Sequence, residues 1–139
     1  MTYVSKSESD TYKIAAEFAA TLNGGEIVLL SGELGAGKTA FCQGIAEGLG
    51  CTDPVSSPTF AIVNYYRGPR PFAHFDLYRI QTENDLAAAG FYDYLDMGAV
   101  VACEWSENCA ELLALENPIR IHIERLDENT RKITIANNE

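Results

Sequence analysis

With 139 residues the chain has the length of one domain, expected to span 1–139, and a domain of that size buries about 70% of its unfolded surface. Its residues are 47% hydrophobic and 22% charged, which excludes an intrinsically disordered chain. Twenty acidic against ten basic residues leave a net charge of −10, which disfavours broad binding to a nucleic-acid backbone or an anionic membrane, although a local basic patch is compatible with it.

The stretch Met1–Asp10 is polar and shows no signal peptide, and no later apolar run approaches the ~18–20 residues that cross a bilayer. A first helix follows Ser7, with Asp10 three residues on as a weaker form of the capping box. Ile14, Phe18 and Leu22 recur every four residues and predict its apolar face; Asn23-Gly24-Gly25 stops it. Within Glu26–Ser31, the run Ile27-Val28-Leu29-Leu30 predicts a strand buried on both faces, as in a parallel sheet. A glycine-rich loop follows, then a helix from about Lys38 to Leu49 with Phe41, Ile45 and Leu49 inward and Gly50 at its end.

The middle of the chain changes character. Phe60–Tyr66 and Phe72–Ile80 are rich in aromatic and β-branched residues and flank Arg67-Gly68-Pro69-Arg70, which predicts a β-hairpin. Glu83–Ala89 reads as a short helix ending at Gly90, and Ala99–Glu104 as another buried strand in which Cys103 is a small core residue. Ile119, Ile121 and Ile123 alternate, as do Ile133 and Ile135, with Asp127-Glu128-Asn129-Thr130 turning between them: a second hairpin. Cys42, Cys51, Cys103 and Cys109 include no Cys-x-x-Cys pair and no matching His cluster, so reduced thiols in a cytoplasmic protein are expected rather than a zinc or disulfide scaffold. The expected fold is α/β, a mixed sheet flanked by helices with antiparallel hairpin additions.

The strongest signal is Gly32-Glu33-Leu34-Gly35-Ala36-Gly37-Lys38-Thr39, a match to the Walker A pattern G-x-x-x-x-G-K-[ST]. Glycines let the backbone wrap so that its N–H groups face phosphate oxygens, and the following helix presents its N-terminus to the same anion. In this arrangement Lys38 reaches the β- and γ-phosphates and the Thr39 hydroxyl coordinates Mg²⁺. A strand before the motif and an amphipathic helix after it make a P-loop NTPase domain the expected architecture.

A P-loop names a nucleotide site and no reaction. Two carboxylates qualify for the chemistry. Glu104 ends a buried strand, where an acid can hold Mg²⁺ directly or through water, and an ordinary solvated strand-end carboxylate is an equal reading. Asp76 stands in a β-prone run where an acid is locally unfavourable, and its solvated reading is the commoner one. His74 is a ligand or base on one reading and a satisfied strand histidine on the more frequent one; His122, alternating outward between Ile121 and Ile123, reads as structural. Trp105 stacks on an adenine or on a partner, or equally packs in place, and Ser56-Ser57-Pro58-Thr59 is a switch loop near a γ-phosphate or a plain turn. Arg67, Arg70 and Arg79 are candidates for charge stabilisation, although most surface arginines merely solvate a face.

Together these residues resemble the bacterial TsaE (YjeE) family, the ATPase of threonylcarbamoyladenosine tRNA modification. The ordered set is the P-loop Gly32–Thr39, Ser57-Pro58-Thr59-Phe60, His74-Phe75-Asp76-Leu77-Tyr78-Arg79, Gly90-Phe91 before Tyr94-Leu95, and Glu104-Trp105. Departures are Ala40, where a second threonine is frequent, and Ser106, where proline often follows the tryptophan. The resemblance implies an ATP site made by Glu33, Leu34, Gly35, Ala36, Gly37, Lys38, Thr39 and Ala40 with Thr59 and Trp105. It implies Mg²⁺ held at Thr39 and Glu104, and catalysis carried by Asp76, Glu104 and Lys38, with Asp76 as the essential acid. It also implies that the chain binds the TsaD–TsaB pair and uses nucleotide turnover to reset that transferase, with weak hydrolysis alone. The rival readings are a small-molecule kinase, for which the chain has little room and no clear lid; a GTP switch, whose Asn-Lys-x-Asp motif is missing; and a nucleotide-gated binding module with incidental hydrolysis. The acidic charge adds that the partners, and not this chain, hold the RNA.

Overall fold

A computed structural model describes residues 1–33, 36–52, 63–104, 113 and 117–137. Along the chain run β1 (Thr2–Ser5), α1 (Glu8–Ala20), β2 (Ile27–Gly32), α2 (Lys38–Gly48), β3 (Val63–Tyr66), β4 (Phe72–Asp76), α3 (Glu83–Ala88), α4 (Phe91–Asp96), β5 (Val100–Glu104), β6 (Ile119–Arg125) and β7 (Arg131–Asn137). The strands form a seven-stranded mixed sheet in the order β1-β7-β6-β2-β5-β4-β3. Its centre is parallel, with β2 between β5 and β6 and β4 beside β5; β3 and the β7–β1 pair add antiparallel edges.

Side chains alternate across this sheet and build two cores. Val28, Leu30, Val100, Ala102, Phe72, Ile121 and Ile123 face α1 and α2. Ile27, Leu29, Val101, Cys103, Ala73 and Phe75 face Leu86 of α3 and Phe91 of α4. The continuous apolar run of β2 is thus buried on both sides, as a central parallel strand requires.

Helix α1 begins as the sequence predicts: Ser7 Oγ accepts from Asp10 N at 3.0 Å, and the Asp10 carboxylate accepts from Lys6 N at 3.1 Å. Its buried line differs from the expected one. Thr11, Ala15 and Ala19 are buried, while Ile14 and Phe18 are only half-buried at the core's margin, and of the predicted face Leu22 alone is fully inside. The cause lies in α2. A Cβ built on Gly44 would sit 2.6 Å from Ala15 Cβ, and one on Gly48 2.8 Å from Ala19 Cβ. Two glycines one turn apart let the helices approach so closely that only small residues fit between them, and the large ones are displaced sideways.

Helix α2 ends with Gly50 at φ +83°, where Gly50 N bonds Glu47 O at 2.9 Å and Cys51 N bonds Ala46 O at 2.9 Å, the Schellman pattern. The first predicted hairpin forms between β3 and β4, but β4 stops at Asp76; Leu77–Ile80 turns, with Ile80 N bonded to Leu77 O at 3.0 Å. The hairpin positions 60–62 lie outside the described residues, as does Cys109. Cys42, Cys51 and Cys103 are not joined in disulfides. Two elements carried no expectation: edge strand β1, whose Tyr3 and Val4 stand side by side between Thr2 and Ser5, and α4, which follows Gly90 directly. Among the described residues no helix is long and apolar enough to cross a membrane.

Candidate functional site

The site forms at the C-terminal ends of the parallel strands. Strand β2 delivers the chain into the glycine-rich loop at Gly32, where φ is +151° and a Cβ would meet Ile123 O at 2.5 Å, so that only glycine passes. Ala36 N bonds Glu33 O at 3.0 Å. Gly37, at φ +101° and ψ +21°, then caps α2 in a left-handed conformation. It brings no side-chain acceptor to this helix start, whereas Ser7 and Thr82 supply one at α1 and α3. A helix start without a capping side chain is suited to an external anion.

Lys38 and Glu104 meet directly beside it. Lys38 Nζ lies 3.5 Å from Glu104 Oε1, with their side chains 11% and 14% exposed. The other carboxylate oxygen accepts from His74 Nε2 at 2.7 Å. His74 is buried, stacks on Phe72, and has Cys42 Sγ 3.6 Å from the same Nε2. Asp76 is the in-register neighbour of Glu104 on β4, and Leu77 N bonds Glu104 O at 2.9 Å, which locks the two strand ends together. Asp76 Oδ1 accepts from Tyr78 N at 3.0 Å. Residues 74 and 76 share one face of β4 by the two-residue period, and that face looks toward α2.

Burial works against a charged His74, but the Cys42 sulfur and the Glu104 carboxylate outweigh it and push its pKa up to about 10. Burial also opposes the charge on Glu104; His74 and Lys38 prevail and hold its carboxyl below the usual carboxylate range. Glu104 is therefore an ionised carboxylate shared between two cations.

Comparison with known proteins identifies the family. The family model described as "Threonylcarbamoyl adenosine biosynthesis protein TsaE" matches residues 5–133. The chain belongs to the TsaE family. It is 39% identical over 137 residues to the tRNA threonylcarbamoyladenosine biosynthesis protein TsaE of Aquifex aeolicus, covering 94% of this chain and 91% of the relative. It is 40% identical over 128 residues to the protein of the same description from Bacillus subtilis, covering 91% and 79%. Among solved structures, the crystal structure of YdiB from Bacillus subtilis superposes with a TM-score of 0.82 at 31% identity, over all of this chain and 86% of that one.

Of the residues singled out in the sequence, the structure brings Lys38, Glu104 and Asp76 to one end of the sheet and adds His74 to them. Thr39 is exposed in the first turn of α2; Glu33 is exposed, and Ala36 and Ala40 turn their side chains into the interior. Any contribution of those two alanines to a ligand falls to their backbone. Leu34, Gly35, Thr59 and Trp105 lie outside the described residues. His122, as expected, faces outward, with Nδ1 2.8 Å from Ser31 Oγ.

The arginines sort differently from expectation. Arg70 is no candidate for charge stabilisation at the site: it donates to Leu22 O at 2.6 Å, Ala20 O at 3.4 Å and Gly48 O at 2.9 Å. It binds the carbonyls at the ends of α1 and α2, where helix dipoles favour a cation. Arg67 and Arg79 are exposed. The arginine at the loop is Arg131 of β7, whose Nε donates to Ala36 O at 3.1 Å. No local pattern announces it, since its partner lies 95 positions away. For His74 a signal did exist, because it stands two residues before Asp76 and hence on the same strand face.

Proposed function

We propose that the chain is a P-loop ATPase of cytoplasmic tRNA threonylcarbamoyladenosine biosynthesis. In this reading it binds Mg-ATP and, with the TsaD–TsaB pair, couples nucleotide turnover to repeated cycles of the threonylcarbamoyl transferase. The observation that carries the reading is the meeting of Lys38, Glu104 and Asp76 beside a helix start that has no capping side chain. Family membership supplies the pathway.

The donor set fits a hard cation. Mg²⁺ takes oxygen ligands and is usually held by one or two carboxylates together with substrate phosphates and water, so a full protein cage is not required. The Thr39 hydroxyl and the Glu104 carboxylate would hold it, with Asp76 in register alongside. When bound, the ion neutralises charge on the β- and γ-phosphate oxygens.

The chain's own residues do the rest. Loop N–H groups and Lys38 bind phosphate oxygens, which draws Lys38 away from Glu104. His74 keeps hold of the carboxylate when Lys38 leaves. Asp76 orients the attacking water; the water's oxygen bonds to the γ-phosphorus as the bond to the β–γ bridging oxygen breaks, and its proton leaves with the released phosphate, giving ADP and phosphate. An exchange of ATP for ADP removes the γ-phosphate contacts, a change able to alter a switch segment and a docked partner.

The test is phosphate release by wild type and Asp76→Ala, alone and with the TsaD–TsaB pair and tRNA. Slow release alone, acceleration by the pair, and loss of turnover with retained ATP binding in Asp76→Ala are expected. Fast hydrolysis indifferent to the pair would sink the coupling. Intact pathway turnover in Asp76→Ala would favour a nucleotide-gated binding module instead.

A further inference from the structure

We propose that Arg131 is a positioning residue for the phosphate loop, tying it to the C-terminal hairpin and aiming the Gly37 N–H; the inference rests on the nucleotide reading above. Arg131 opens β7. Its Nε donates to Ala36 O at 3.1 Å, and its Nη1 donates to the carbonyls of Asp127 at 2.9 Å, Thr130 at 3.2 Å and Glu128 at 3.4 Å. One planar guanidinium thus bridges the β2–α2 loop and the β6–β7 turn. The turn is itself fixed: Asp127 Oδ1 accepts from Asn129 N at 2.9 Å and Thr130 N at 2.8 Å.

The consequence follows from peptide geometry. In a trans peptide the C=O of one residue and the N–H of the next point in opposite directions in one plane. Arg131 holds the Ala36 carbonyl, so it also fixes the Gly37 N–H, aimed away from β7. The Ala36 side chain is buried, and its N–H, which belongs to the preceding peptide, is held by Glu33 O, so the peptides on both sides of Ala36 are anchored. Gly37 sits at φ +101°, directly before the helix start. A loop that uses N–H groups to bind phosphate needs them aimed before the ligand arrives, because ordering them on binding costs affinity. Arginine suits the task better than lysine, since its donors form a rigid fork able to serve two chain segments at once.

The test uses the full chain as wild type, Arg131→Gln, Arg131→Lys and, as reference, Lys38→Ala. Binding of Mg-ATP, ADP and pyrophosphate is followed by calorimetry, and the Gly37 amide by NMR in the ligand-free protein. In Arg131→Gln all three ligands are expected to bind roughly tenfold more weakly, the scale of one charge-assisted hydrogen bond. Arg131→Lys keeps the charge without the fork and is expected to remain weak. The Gly37 amide is expected to shift and exchange faster in both variants, while the amides of β5 stay protected, a pattern general destabilisation would not give. Should Arg131→Gln fail to fold, Arg131→Lys alone carries the comparison. Wild-type affinity in Arg131→Gln, or full recovery in Arg131→Lys with the Gly37 amide unmoved, would overturn the positioning role and leave nucleotide binding intact. A wild type that binds none of the three ligands would instead remove the nucleotide reading, and this inference with it.

Discussion

His74 Nε2 stands 2.7 Å from one oxygen of Glu104, while Lys38 Nζ reaches the other oxygen at 3.5 Å. The two contacts are unequal. His74 comes from the neighbouring strand, is buried, and has little freedom to leave. Lys38 is flexible, stands at the helix start, and is the group a phosphate would attract. The carboxylate therefore has one permanent partner and one exchangeable one.

The permanent partner sets a pH dependence. The His74 pKa is raised above its unfolded value of about 6.5, so its stabilisation is complete below that pH and is lost as pH rises toward about 10. The Glu104 pKa is lowered, so its stabilisation is complete above the ordinary 4.5 and is lost on acidification. The pair contributes most between those two ordinary values. His74→Gln is expected to cost roughly 1–3 kcal/mol near pH 6, the range for removing a partner from a buried polar group. It should also flatten the alkaline side of the stability profile. Urea midpoints from pH 5 to 10 check this, read as the difference between variant and wild type; parallel profiles would show that His74 does not titrate there.

Arg70 separates a structural arginine from one at the site. Its guanidinium serves three carbonyls at the ends of two helices. Arg70→Ala is expected to lower the unfolding free energy by about 1–3 kcal/mol, the scale for carbonyls stripped of a charged donor. Nucleotide affinity of the folded variant should stay within twofold of wild type. A large loss of affinity without loss of stability would return Arg70 to the catalytic candidates.

The sequence announced what depends on local pattern. The glycine-led start of α2, the buried strands, both hairpins and the caps at Ser7 and Gly50 are written within a few residues, by periodicity or by the conformations a residue permits. Edge strand β1 is hidden because Tyr3 and Val4 are adjacent and the buried residue is Ser5, so the stretch carries no period-2 apolar signal; pairing with β7 creates it. The face of α1 is legible only in part: Ile14, Phe18 and Leu22 do pack on the core, but Ala15 and Ala19, buried deeper, count weakly in an apolar stripe, and the partner that selects them, Gly44 with Gly48, lies on another helix. At the site, Lys38, Asp76 and Glu104 were visible as residue types at strand and helix ends. The contacts of Glu104 with His74 and of Ala36 with Arg131 depend on strand order, which periodicity does not encode.

The contact between α1 and α2 gives a prediction in which two effects have opposite signs. Alanine is the better helix former by about 1 kcal/mol, so propensity alone makes Gly44→Ala and Gly48→Ala stabilising. The new methyls would meet the backbone carbonyl oxygens of Tyr12 and Ala16 first, and would stand 2.6 Å from Ala15 Cβ and 2.8 Å from Ala19 Cβ. Overpacking of this kind costs typically 1–3 kcal/mol, and backbone cannot rotate aside as a side-chain tip can. Both variants should be less stable in urea denaturation, and the double variant more so. A gain in stability for either would mean that the helices separate at little cost.

The exchangeable partner leads to a prediction about the metal. In the ligand-free chain Lys38 is neutralised by Glu104, so a nucleotide must displace that contact to obtain the lysine. Glu104→Gln removes the competing charge. Without Mg²⁺, binding of ADP should then be unchanged or tighter by up to about fivefold, because a partly exposed ion pair is worth roughly 0.2–1 kcal/mol. With Mg²⁺ the order reverses. Wild type should gain affinity from the ion through its carboxylate, whereas Glu104→Gln should gain much less, since an amide is a weaker ligand for a hard cation. The measurement is ADP and ATP affinity in EDTA and at rising Mg²⁺, for both chains. An equal Mg²⁺ effect on the two would remove Glu104 from the metal side. Weaker metal-free binding in Glu104→Gln would show that the carboxylate organises Lys38 for the phosphate instead of competing for it.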